Sequence, residues 1–199
     1  MIVIGITGGI GTGKSMVCSI FNTLGIPVYD ADTNAKQIIV DDAEVKSAII
    51  KLFGDDAYYP DGTYNKAYVA SIVFNDKLKL ERLNAIVHPK VIQRGNLWAN
   101  ANSHHPYLLR EAALMFESGS YIYNQFNILV ESPIELRIKR ICSRDKCSKE
   151  EAIKRINAQW SDEERRKYSD LIIYNNEEKS LIQQVYQIHQ NLLFNNDPR

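Results

Sequence analysis

Several absences narrow this 199-residue sequence before any motif is read. No run of about 18 apolar residues occurs, which argues against a membrane-spanning helix. The N-terminus enters an apolar strand pattern at once. No basic stretch precedes a hydrophobic one, so no secretory signal is expected. Cysteine is scarce: Cys18, Cys142 and Cys147 are odd in number and lack paired metal-ligand spacing. They read as reduced thiols of a cytoplasmic protein. Cys18 is a small helix residue, and a redox role for the other two is the minor reading. Charge of one sign is missing too, since 24 Lys and Arg balance 24 Asp and Glu. A general binder of nucleic acid or acidic membrane is not expected from that balance. No internal repeat or low-complexity linker is seen, and the length suits one domain or one core with insertions.

What is present is concentrated near the start. Gly8-Gly9-Ile10-Gly11-Thr12-Gly13-Lys14-Ser15 matches the phosphate-loop spacing G-x-x-x-x-G-K-[ST]. Ile2-Val3-Ile4-Gly5-Ile6-Thr7 before it reads as a short buried strand. Met16 to Leu24 after it carries apolar residues at helical spacing, with Gly25 as a stop. The glycines therefore sit where a strand hands over to a helix. Glycine lets backbone N–H groups approach a phosphate closely, and the helix N-terminus adds partial positive charge. Lys14 can reach the β- and γ-phosphates, and the Ser15 hydroxyl can ligate Mg²⁺.

Ile26-Pro27-Val28-Tyr29 reads as a second strand ending in Asp30-Ala31-Asp32. Ligands of open parallel sheets bind outside the carboxyl ends of the strands, so this pair is expected to face the crevice of the phosphate loop. One of the two can equally be an N-cap for a helix beginning near Asn34. Helical spacing then recurs at Ala35–Val40, Glu44–Phe53, Tyr68–Phe74, Leu78–Val87 and Val91–Trp98, with a loop over 54–62. His88-Pro89 marks an expected helix break. Some seventy residues of helix exceed what a strand crossover needs, so an insertion is expected over 33–102. Tyr107–Ala112 is a third strand, with Arg110 and Glu111 placed near its end and facing the crevice. Phe126–Val130 is a fourth, followed by a helix over Ile134–Arg144. Leu171–Tyr174 is a fifth, followed by Asn175-Asn176 and a last helix over Ser180–Leu193.

Residues 136–168 hold eleven of the 24 basic residues, with six acids among them. Most read as a solvated helix face. Arg137, Arg140 and Arg144 nevertheless share one face at i, i+3 and i+7, and Arg155 and Gln159 stand at i, i+4 on the next helix. Planar guanidinium groups in a stripe suit a polyphosphate clamp. A switch GTPase is disfavoured: no Asp has Gly three residues on, and Asn65-Lys66-Ala67-Tyr68 fails as an N-K-x-D base reader. A strand of four apolar residues ending in Asp, as in motor ATPases, is missing too. A small kinase remains.

The chain resembles the dephospho-coenzyme A kinase family over nearly its whole length. The resemblance rests on Thr7 to Ser15, Asp30-Ala31-Asp32, Leu83-Asn84-Ala85-Ile86-Val87-His88-Pro89 and Leu114-Met115-Phe116-Glu117. It continues with Arg140, Arg144-Asp145, Arg155 with Gln159, and Ser169-Asp170 leading to Asn175. Ala113 stands where the family commonly has Pro, and Lys36 and Lys66 where it often has Arg. Lysine keeps the charge and loses the bidentate fork, which leaves acceptor affinity open.

The resemblance implies an α/β P-loop kinase fold: a central parallel sheet of about five strands, a helical substrate-binding insertion and a helical lid. The core would be 1–32, 103–135 and 169–199, the acceptor-binding insertion 33–102 and the lid 136–168. It implies transfer of the ATP γ-phosphate to the ribose 3′-hydroxyl of dephospho-CoA, the last step of coenzyme A synthesis. A kinase for another small acceptor, such as a nucleoside monophosphate, is the alternative. ATP would be held by Gly9, Ile10, Gly11, Thr12, Gly13, Lys14 and Ser15, with Ser15 on Mg²⁺. Asp32 would orient the hydroxyl and accept its proton, and Arg140 and Arg155 would stabilise transferring charge. Arg144 and Asn175 would lie on the adenine side, and His88 and Arg155 toward the acceptor. A monomer or weak homo-oligomer is expected, with no nucleic-acid or membrane partner.

Overall fold

Ile2-Val3-Ile4-Gly5-Ile6-Thr7 is apolar along nearly its whole length, the pattern of a strand whose two faces are both covered. In the computed structural model, which describes residues 2–74 and 76–199, it is the central strand of the sheet. The strands are β1 (Ile2–Thr7), β2 (Val28–Asp30), β3 (Tyr107–Glu111), β4 (Phe126–Glu131) and β5 (Leu171–Tyr174). The helices are α1 (Lys14–Thr23), α2 (Ala31–Asp41), α3 (Ala43–Phe53), α4 (Lys66–Val73) and α5 (Lys77–Ala101). After β3 come α6 (Ile134–Asp145), α7 (Lys149–Asn157), α8 (Asp162–Arg166) and α9 (Leu181–Asn195).

The sheet is five-stranded and parallel throughout, in the order β2-β3-β1-β4-β5. From β1 the chain goes out to β2 on one side, returns as β3, then builds β4 and β5 on the other. Such a reversal beside a central strand opens a crevice at the strands' carboxyl ends. That edge carries Thr7, Asp30, Glu111 and Glu131, with Asp30 opposite Glu111 in register.

Every second strand residue faces one helical layer. Ile4 and Ile6, Tyr107 and Leu109, Ile128 and Val130, and Ile173 join Val17, Cys18 and Phe21 of α1 and Val185, Ile188 and Leu192 of α9 in one cluster. Phe21 meets Tyr107 edge-on at 6.4 Å between ring centroids. Each such fully buried side chain is worth about 1.5–3 kcal/mol over its exposed state. The same alternation separates two residues expected to face the crevice together. Glu111 takes the α1 face, where the Cys18 thiol bonds to it. Arg110 turns to the opposite face and is buried.

The chain forms two compact units, one of Met1–Asp30 with Ala101–Arg199 and one of Ala31–Asn100. The second holds α2 to α4 and nearly all of α5, around Ile38, Val45, Ile49, Phe53, Tyr58, Val69 and Val87. Asp42 caps α3 by accepting from the Glu44 and Val45 amides, and Gly54 ends it at φ 90°. The expected break at His88-Pro89 is absent: α5 runs on through Pro89. A helical proline removes one backbone hydrogen bond and costs about 3 kcal/mol. Leu83, Ile86 and Val87 before it and Val91 after it all pack on the same apolar cluster. That shared burial holds the two halves in one helix.

Candidate active site

The phosphate loop follows β1 directly. Three of its glycines have positive φ: Gly8 at 156°, Gly11 at 81° and Gly13 at 92°. Gly13 is also the N-cap of α1, and as a glycine it offers that helix no side-chain cap. The first N–H groups of an α-helix have no partner within it, and together they form an anion site. Inside the loop the Thr12 hydroxyl donates to the Gly9 carbonyl at 2.9 Å, and the Thr12 amide bonds the same oxygen at 3.2 Å. The Lys14 ammonium donates to the Gly8 carbonyl at 3.0 Å, which folds it back across the loop.

Four side chains from far along the sequence hold this loop from outside, one of them Arg140, whose NH1 donates to the Gly11 carbonyl at 3.4 Å. Arg137 Nε donates to the Ile10 carbonyl at 2.9 Å, and the Ile10 amide donates to Gln159 Oε1 at 2.8 Å. Asn175 Nδ2 donates to the Thr12 carbonyl at 2.8 Å. The approach is close enough to forbid side chains. A Cβ on Gly13 would stand 2.2 Å from Asn175 Nδ2, and one on Gly9 would stand 2.3 Å from the Arg137 guanidinium.

A cavity of about 350 Å³ opens on the loop, lined by Gly9, Gly13, Lys14, Ser15, Arg140 and Arg144 among others. Its size suits a small-molecule ligand. Arg140 reaches toward it from α6, bonding the Ser132 hydroxyl at 3.0 Å, Asn175 Oδ1 at 3.3 Å and Glu177 at 3.2 Å. Arg144 is largely exposed and grips Asp145 at 2.7 Å. Arg155 also turns to Asp145, at 2.6 Å. Asp145 thus collects two arginines, and its carboxyl is held below the usual range by Arg144 first and Arg155 second.

The expected site residues therefore divide. Gly9, Ile10, Gly11, Gly13, Lys14, Ser15, Arg140 and Arg144 line one cavity, whereas Thr12 is buried inside the loop and Asn175 belongs to the support of the loop. Arg155 is exposed beside Asp145. Asp32 and His88 lie in the other compact unit, Asp32 in the first turn of α2 and His88 within α5. Asp30 ends β2, and the helix begins at Ala31, earlier than expected. His88 is exposed on α5, and partial desolvation there lowers its pKa. Gln159 does not continue the helix of Arg155. The helix α7 ends at Asn157, and Gln159 leaves the helical path to meet the phosphate loop.

Two arginines in the basic stretch are not solvated at all. Arg137 is 4% exposed and Arg165 is fully buried. Arg137 shares Asp162 at 3.2 Å, and Arg165 meets Glu117 at 2.6 Å. Burial pulls Arg137 below the usual guanidinium range, Asp162 opposes this, and the neighbouring Arg165 cation adds to it. Arg165 lies in a run of charges, Asp162-Glu163-Glu164-Arg165-Arg166-Lys167, so its burial has no sequence signal. The cysteines are free. Burial, with Glu111 beside it, pushes the Cys18 thiol far up and leaves it unreactive.

Comparison with known proteins agrees with this geometry. The family model for dephospho-CoA kinase matches residues 2–180. A curated dephospho-CoA kinase of Bacteroides fragilis is 33% identical over 185 residues, covering 93% of this chain and 90% of that one. A crystal structure from Thermus thermophilus superposes with a TM-score of 0.81 at 31% identity, covering 96% of each chain. The dephospho-CoA kinase of Campylobacter jejuni superposes with a TM-score of 0.72 at 29% identity, covering 98% of each. The family match thus takes in the loop, its distant supports and both ends of the sheet, and the chain belongs to the dephospho-CoA kinase family.

Proposed function

We propose that this chain transfers the γ-phosphate of ATP to the ribose 3′-hydroxyl of dephospho-CoA, which completes coenzyme A. The observation that carries the donor half is the α1 N-terminus, left without a side-chain cap and wrapped by a glycine loop that other elements hold in shape. The acceptor half rests on family membership.

The roles follow from position and chemistry. The loop from Gly9 to Ser15 binds the ATP phosphates through backbone N–H groups, and Lys14 neutralises charge on the β- and γ-phosphates. Arg140, tied to the loop directly at the Gly11 carbonyl and through Asn175, places a guanidinium at the same cavity and stabilises the transferring phosphoryl group. Arg144, exposed at the cavity rim, serves the adenine side of ATP. Ser15 offers a hard hydroxyl oxygen that is exposed and lines the cavity. Such a donor suits Mg²⁺, which takes few protein ligands and fills its shell with water and phosphate oxygens. When bound, the ion supplies charge neutralisation between the β- and γ-phosphates.

Asp32 follows Asp30, the last residue of β2, by two positions. It orients the acceptor hydroxyl and accepts its proton. His88 and Arg155 contact the acceptor. Residues 33–102 bind it, and residues 136–168 close as a lid, because water in an open site would compete with the hydroxyl. The enzyme works in the cytoplasm as a monomer or weak homo-oligomer.

The test is ATP consumption with dephospho-CoA against a panel of nucleoside monophosphates. Turnover confined to dephospho-CoA is expected. Turnover with a nucleoside monophosphate alone would reassign the acceptor, and nucleotide binding without turnover would remove the kinase reading.

A further inference from the structure

We propose that Arg165 is a positioning residue for phosphate binding, a buried cation that stands behind the phosphate loop and charges it without touching the nucleotide. The inference rests on the reading of Gly8 to Ser15 as a polyphosphate site.

The contrast with the next residue carries it. Arg166 meets Glu131 as a fork, Nε to one carboxylate oxygen at 2.6 Å and NH2 to the other at 2.7 Å. Its charge is matched in the geometry that best suits a guanidinium and a carboxylate. Arg165 is more deeply buried, at 0% exposure, yet it meets Glu117 end-on through NH2 alone, at 2.6 Å. Among the described residues, its Nε and NH1 find no hydrogen-bond acceptor, and neither does Glu117 Oε2 a donor. Asp162 is 3.6 Å from NH1 and is shared with Arg137 at 3.2 Å. A buried donor without an acceptor is costly, and a native structure keeps one for a reason.

The direction of the unspent group supplies the reason. A Cβ built on Gly9 would stand 3.0 Å from Arg165 NH1 and 2.3 Å from Arg137 NH2. Two guanidinium groups therefore fill the space where a Gly9 side chain would begin, on the residue that opens the phosphate-binding backbone. Arg137 has its Nε committed to the Ile10 carbonyl. Arg165 has no bond to the loop, so what it adds there is charge. Arginine keeps that charge at every accessible pH. In a low-dielectric interior such a charge acts over several ångströms, and it favours a ligand in proportion to the ligand's own negative charge.

The experiment measures equilibrium affinities for ATP, ADP and AMP in wild type, Arg165→Met, Arg165→Lys and Glu117→Gln, with a melting curve for each. Arg165→Met is expected to weaken ATP about tenfold, ADP less and AMP hardly at all. Arg165→Lys keeps the charge and should keep the ATP-to-AMP ratio near wild type. Glu117→Gln removes the opposing carboxylate and should tighten ATP relative to AMP. A purely structural arginine gives another pattern: all three nucleotides weaken by one factor in Arg165→Met, and Glu117→Gln weakens them likewise. That pattern, or unchanged affinities in a folded Arg165→Met, overturns the proposal. If Arg165→Met does not fold, the ratios in Arg165→Lys and Glu117→Gln decide by the same signs. A wild-type protein that binds none of the three would instead remove the polyphosphate reading itself.

Discussion

The side-chain amide of Asn175 donates to the carbonyl of Thr12 at 2.8 Å, joining residues 163 positions apart. Both are buried, Asn175 at 6% and Thr12 at 0% exposure. The bond links the segment after β5 to the turn that starts α1, and its other side-chain atom receives Arg140 at 3.3 Å. Replacing Asn175 with Leu leaves the Thr12 carbonyl without a donor, a loss of about 1–3 kcal/mol. The expected result is a lower melting temperature together with a raised KM for ATP. A variant that melts earlier with unchanged KM would show that the bond supports the fold and not the loop.

Gly13→Ala should be severe for two separate reasons. The backbone there has φ 92°, and the new Cβ would meet Asn175 Nδ2 at 2.2 Å. A left-handed conformation disfavours any Cβ by roughly 1–2 kcal/mol. Titration with ATP is expected to show little or no binding, because the loop must open to admit the methyl group.

Lys14→Ala and Asp32→Asn are each expected to lower kcat by at least about 10²-fold in a protein that still folds. Circular dichroism and steady-state kinetics check both halves. Near-normal turnover in Asp32→Asn would remove Asp32 as the proton acceptor.

Closure of residues 136–168 predicts a protease footprint. ATP with dephospho-CoA should protect cleavage sites within 140–160, where α6 and α7 carry exposed Arg144 and Arg155. Cutting at the same rate with and without both substrates would count against a lid.

Acid should destabilise this fold before its carboxylates titrate. His189 is 8% exposed and shares a 2.6 Å hydrogen bond with Tyr107 in the core. Burial lowers its pKa in the folded state, so the unfolded chain binds the proton more readily. Its contribution is fully present above the ordinary histidine value of about 6.5 and is lost as pH falls through the lower folded value. The melting temperature should fall as pH drops below about 6.5, and a His189→Phe variant should show a shallower fall.

Most of the scaffold was legible in the residues. Short, largely apolar runs marked the five strands, the third of them carrying Arg110 and Glu111 near its end, because a buried parallel strand needs both faces apolar. The glycine spacing marked the phosphate loop because Gly11 and Gly13 adopt a positive φ that glycine takes without steric cost. The misreadings have one origin. At Pro89, local preference says break, and packing of Leu83, Ile86, Val87 and Val91 on one cluster overrides it. At Gln159, helical spacing says continue, and a bond to the Ile10 amide across 149 positions draws the residue away. At Arg110 and Glu111, charge in a buried strand suggested that both face the crevice at its end, and strand alternation put the two on opposite faces.

By itself, then, the sequence determined the kinds of element, their order and the chemistry of the donor loop, since these depend on periodicity, glycine spacing and residue type. Only the tertiary structure decided which side chains hold that loop. Arg137, Gln159 and Asn175 reach it from positions well over a hundred residues away, and Arg165 lies buried inside a run of charges that reads as surface. The physical reason is that burial and hydrogen-bond partnership belong to the packed chain. A charged residue carries no local mark of whether it will face water or Gly9.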